Sequence, residues 1–119
     1  MNNGNRLLQQ IISHMKVQFN LPEEQISTMI PPFLETLEEH LLLLEQAIVT
    51  GSLEETGRVA HTLKGALLNL GLFQCAETTQ TIEASAKAGS DRADYRALLA
   101  ELKTSLRELR AQDAPDPGL

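Results

Sequence analysis

Apolar residues recur along the chain at alternating intervals of three and four, the spacing that lays one stripe of side chains along one side of an α-helix. The clearest run is Leu34, Leu37, Leu41, Leu44 and Ile48. Pro31-Pro32 suits the first turn of such a helix, where no N–H donor is needed. Gly51 suits its end, so the run predicts a helix over about 32–50. Ser52-Leu53-Glu54-Glu55 then reads as a capping box, in which Ser52 and Glu55 satisfy each other's free backbone donors. The helix it starts carries Val59, Leu63, Ala66, Leu67 and Leu70 on one side and stops at Gly71. A further run over about 73–88 holds Phe73, Ala76, Ile82 and Ala86 and stops at Gly89. Ser90 or Asp91 can cap the last, whose stripe is Tyr95, Leu99, Leu102, Leu106 and Leu109. Four amphipathic helices with short connections predict an all-α protein, an antiparallel up-down four-helix bundle over about 30–110.

Ahead of the bundle, Leu8, Ile12, Met15 and Phe19 predict an additional N-terminal helix at about 5–19, and Leu21-Pro22-Glu23-Glu24 starts a short helical turn at about 22–30. That segment can cap the bundle or mediate self-association, since either use needs the same stripe. The Pro- and Gly-rich end, 113–119, predicts a disordered tail. The reading is therefore one helical domain over 1–112.

Composition narrows the function. Of 119 residues, 42% are hydrophobic and 22% charged, and the net charge is −6. An acidic surface repels phosphate backbones, so nucleic acid is excluded as a favoured partner. No apolar run approaches the length of a membrane span. The N-terminus lacks the profile of a secretion signal, so the expected location is the cytoplasm. Met1 and the tapering tail favour a free-standing protein over a fragment of a larger kinase. The single Cys75 cannot form an internal disulfide and reads as a buried, inert thiol. His14, His40 and His61 match no metal-ligand spacing. Glu38-Glu39 and Glu54-Glu55 point in different directions on their helices and read as solvated face. There is no Gly-rich phosphate loop, hence no ATP site.

The second bundle helix is the informative one. At about 100° per residue, its core residues fall within one arc and His61 lies opposite. Lys64, Gly65 and Leu68 share that outer face. An outward His or Lys is ordinarily just a solvated residue. Gly65 is harder to explain, because glycine costs roughly 0.5–1 kcal/mol in a helix interior and here it points away from the core. Something outside the bundle needs to come close. His14 and His40 have no comparable neighbours and read as ordinary flank residues.

The stretch Arg58-Val59-Ala60-His61-Thr62-Leu63-Lys64-Gly65-Ala66-Leu67-Leu68-Asn69-Leu70-Gly71 resembles the signature of histidine-containing phosphotransfer (HPt) domains, and Thr81-Ile82-Glu83 resembles the Leu-Glu element of that family's next helix. The resemblance implies a phosphoprotein of two-component signal transduction that relays phosphoryl groups in a multi-step phosphorelay, rather than an enzyme. It implies His61 as phosphoacceptor, Lys64 as the charge that offsets the phosphoryl group and Gly65 as the point of close approach. Arg58, Thr62 and Leu68 become candidate partner contacts. The implied partners are a response-regulator receiver domain and a sensor histidine kinase, with Mg²⁺ on the receiver and no cofactor of this chain's own. A monomer is expected. Leu67 and Leu68 depart from the small residues common in the family. The competing readings are a non-catalytic adaptor that binds receivers, and the phosphoacceptor domain of a larger hybrid kinase.

Overall fold

The computed structural model describes residues 3–113, and within them the chain is helical, with five helices and no strand. They are α1 (Asn3–Phe19), α2 (Glu23–Thr50), α3 (Leu53–Asn69), α4 (Phe73–Lys87) and α5 (Tyr95–Asp113). The tail expected from 113 onward overlaps the end of α5 at Asp113, and its remainder lies outside the described residues.

The prolines mark the main departure. The sequence predicts a break before residue 32, whereas α2 runs unbroken through Pro31 and Pro32. Ile26, Ile30, Leu34, Leu37, Leu41 and Leu44 form one buried stripe that keeps its phase across the pair. The two missing N–H groups would have served the carbonyls of Ser27 and Thr28. All four of these residues are exposed, so water can reach the freed acceptors. Packing on one face therefore outweighs the lost bonds on the other.

Three helices end alike. In α2, α3 and α4 the residue after the last turn is a glycine with positive φ, at Gly51, Gly71 and Gly89. Each donates back to a carbonyl of the closing turn, and the next residue donates further back, as Ser52 does to Ala47 and Leu72 does to Leu67. This explains why the predicted capping box is only half made. Ser52 Oγ accepts from the Glu55 N–H at 3.1 Å, but the Ser52 N–H is already committed to Ala47 at 3.2 Å. The Glu55 carboxylate turns instead to Arg58. At α5 the cap is Asp94, whose Oδ1 accepts from Ala97 N–H at 3.0 Å, and neither Ser90 nor Asp91 takes that place. The Ser90 N–H closes α4 on Ser85.

Helix α3 packs most extensively on α4; α2 lies against α3 and α5, and α4 against α5. The core between them holds Leu37, Leu44, Leu63, Leu67, Ile82, Leu102 and Leu109. Helix α1 packs on α5 and α2 and adds Leu7, Ile11, Ile12 and Met15 to the same core. Its C-terminal half reaches the α3–α4 turn. There His14 is no idle flank residue: it meets the Phe73 ring edge-on at 5.5 Å and covers Gly71. Phe73, expected in the core, is instead 58% exposed.

Gly71 therefore answers two demands. Its φ is +79°, and a β-carbon there would lie 2.5 Å from the His14 side chain. Gly71→Ala is expected to cost about 1–3 kcal/mol, read as a lower urea midpoint with unchanged far-UV helicity.

Candidate functional site

Helix α3 turns its apolar stripe, Val59, Ala60, Leu63 and Leu67, fully inward. Of the neighbours Ala66 and Leu67, both on the predicted stripe, Leu67 has no exposed surface and Ala66 is only partly buried. The opposite face carries His61, with its side chain 65% exposed. The imidazole does not stand alone in water. Its Nδ1 lies 2.8 Å from Oε2 of Glu83, on α4.

Glu83 is the buried centre of the site, its side chain 4% exposed. It sits where the α4 stripe of Ala76, Thr79, Ile82 and Ala86 meets α3, and the small side chains of that stripe let the helices come together. Three groups converge on its carboxylate. Oε2 accepts from His61 and from Lys87, whose Nζ is 2.5 Å away. Oε1 has no well-aligned hydrogen bond but faces the Lys64 ammonium at 2.6 Å. Burial alone would raise the carboxyl pKa; the contacts from Lys64, Lys87 and His61 outweigh it and bring it down to about 2. Glu83 is ionised at neutral pH. A carboxylate cannot donate, so the proton between them belongs to His61 Nδ1, and in the neutral imidazole that tautomer leaves the lone pair on Nε2.

Lys64 is less exposed than its helical angle predicts. At 22% exposure it folds onto α4, reaching Gln80 Oε1 at 2.7 Å as well as Glu83. The buried carboxylate across the groove is the reason. Gly65 is exposed, and a β-carbon there would meet nothing within 4 Å. No contact of the described residues calls for glycine at that position. Arg58 pairs with Glu55 on the surface, Thr62 is exposed one residue after His61, and Leu68 is 43% exposed. A shallow cavity beside His61 is lined by Arg58, Thr62, Ala86 and Lys87, together with Leu53 and Glu54. Lys64 and Leu68 open onto a neighbouring depression with Phe73 and Gln80.

The structure thus brings His61, Lys64 and Gly65 to one patch, with Arg58, Thr62 and Leu68 around it. The roles of Glu83, Gln80 and Lys87 are absent from the sequence reading, though a signal existed. They recur at three and four residues along α4, and a glutamate inside an apolar stripe demands compensation. Cys75 is buried, as read, and burial pushes its thiol pKa up. His14 and His40 stand outside this patch. Among the described residues no group of three or more His, Cys, Asp or Glu is placed to hold a metal ion. No helix among them is long and apolar enough to cross a membrane.

A helical fold with an outward imidazole seated on a buried carboxylate defines the class. The family model of Hpt domains matches residues 29–112, and the chain belongs to that family. Hpt domains carry phosphoryl groups in two-component phosphorelays, interacting with receiver domains and kinases as phosphocarriers rather than as catalysts. No curated protein and no solved structure matches the chain.

Proposed function

We propose that this chain relays a phosphoryl group through His61, taking it from the aspartyl phosphate of a receiver domain and returning it to another. The observation that carries the reading is the Glu83–His61 contact at 2.8 Å. It fixes the proton on Nδ1 and turns Nε2 outward as the nucleophile. In the transfer, the Nε2 lone pair attacks phosphorus, an N–P bond forms, the acyl O–P bond breaks and the receiver's carboxylate leaves. Nδ1 keeps its proton throughout, and the positive charge that develops on the ring faces the Glu83 carboxylate. Phosphoryl transfer asks chiefly for in-line positioning and charge compensation. Lys64 supplies charge, and the open space over Gly65 admits the receiver's backbone. Arg58, Thr62 and Leu68 surround the point of contact. The Mg²⁺ that such a transfer uses is assigned to the receiver, and a sensor histidine kinase stands upstream.

The adjacency of α2, α3, α4 and α5 around one core, with two, three and seven residues between successive helices, fits an antiparallel up-down bundle. In this reading α1 completes a single domain that acts as a monomer.

A receiver domain charged with radiolabelled acetyl phosphate is expected to pass its label to this protein, giving a product labile to acid and stable to base. Label that stays on every receiver tested would sink the proposal. Gly65→Leu should weaken receiver binding about tenfold or more, as measured by calorimetry, because it fills the approach with side chain. Unchanged affinity would contradict the close approach.

A further inference from the structure

Two ammonium groups, Lys64 and Lys87, converge on the single carboxylate of Glu83. With the imidazole neutral, the cluster holds one positive charge that its own carboxylate does not balance. Arg58 leaves that count unchanged because Glu55 pairs with it; the exposed Glu54 also lines the cavity, and its charge is separate from the ion pairs centred on Glu83. The two lysines are held differently. Lys64 is bracketed by Glu83 Oε1 and Gln80 Oε1 and is 22% exposed. Lys87 is 59% exposed and rests on Glu83 Oε2, the oxygen that also accepts from His61 Nδ1. Its Nζ is therefore no farther from the imidazole than those two short contacts together allow. Lys87 also lines the cavity into which His61 opens.

We infer that Lys87 is a second phosphoryl-binding cation, which leaves the oxygen it shares with His61 and pairs with the phosphoryl group on Nε2 while Lys64 keeps Glu83 anchored. The inference rests on the phosphoacceptor role proposed for His61. A phosphoryl group brings about two negative charges at neutral pH, to a cluster with one positive charge in excess. Lys64 is the wrong group to move, since its departure strips a buried carboxylate oxygen of its ion pair. Lys87 needs only a rotation of an exposed, flexible stem, and His61 and Lys64 still hold Glu83 when it goes. Lysine at 87 thus places a mobile charge beside the site, and Lys64 a fixed one.

The test uses the full chain phosphorylated with phosphoramidate. The imidazole nitrogen takes the phosphoryl group, the P–N bond of the reagent breaks and ammonia leaves. The equilibrium of that phosphoryl group with one purified receiver domain is then measured. At low salt, Lys87→Gln is expected to move it about two- to fivefold toward the receiver. The shift should shrink in high salt, and Lys87→Arg should restore the wild-type value. The ¹⁵N resonances of unphosphorylated His61 should keep the wild-type tautomer, and the ³¹P resonance of the phosphorylated variant should move. An equilibrium equal to wild type overturns the inference and leaves the role of His61 standing. A changed tautomer before phosphorylation also overturns it, since Lys87 would then act only by orienting Glu83. Wild-type protein that takes no label at His61 overturns both.

Discussion

His61→Gln is expected to carry no phosphoryl label from a charged receiver, while His14→Gln and His40→Gln are labelled like wild type. Glutamine fits the exposed position without disturbing the core, since the imidazole is 65% exposed and its polar tie across to α4 is the contact with Glu83. Its amide nitrogen has no lone pair available for attack on phosphorus, so the loss should be complete rather than graded. The two controls differ in instructive ways. His14 is packed against Phe73 and Gly71, so its replacement tests whether lost packing alone can mimic lost chemistry. His40 lies partly buried on α2. Labelling of the His61 variant at the wild-type level would falsify the assignment.

Glu83→Gln is expected to destabilise the protein by about 3 kcal/mol at neutral pH and to remove part of its acid sensitivity. The amide keeps the shape and can still accept from His61 Nδ1. It leaves Lys64 and Lys87 converging on a neutral amide, and breaking such a buried pair from one side typically costs a few kcal/mol. The direction with pH follows from the depressed carboxyl, about 2 in the fold against an ordinary 4.5. A carboxylate held below its unfolded value contributes fully above pH 4.5, and the contribution is lost as pH falls from there through about 2. Urea midpoints measured across that window should therefore converge for wild type and variant as pH drops. Other carboxylates titrate in both proteins, so the difference between the curves is the quantity to follow. Parallel curves would show that Glu83 is not the coupled group.

Much of this arrangement was legible in the sequence because it rests on local periodicity. The stripes of α3 and α5, the outward face of His61 and the open side of Gly65 all follow from angle along a single helix. What local reasoning missed depends on a second element. The fold of Lys64 toward α4 is set by Glu83 across the groove, not by its own helical angle. Pro31 and Pro32 look like a boundary until the stripe from Ile26 to Leu44 is seen to keep its phase through them. Ser52 and Glu55 form half a capping box because the turn before them had already used the Ser52 donor. Phe73 looks like core until the ring is found at a surface corner with His14 against its edge.

The uninterrupted course of α2 has a practical side. Residue 29, where the family match begins, falls inside α2, between the buried Ile26 and Ile30. Ile11, also with no exposed surface, lies further upstream. A chain trimmed to the matched segment would begin partway along a rod and bare a strip of oily surface where α1 had been. For this protein, the limits of family likeness and the limits of the cooperative structure fall in different places.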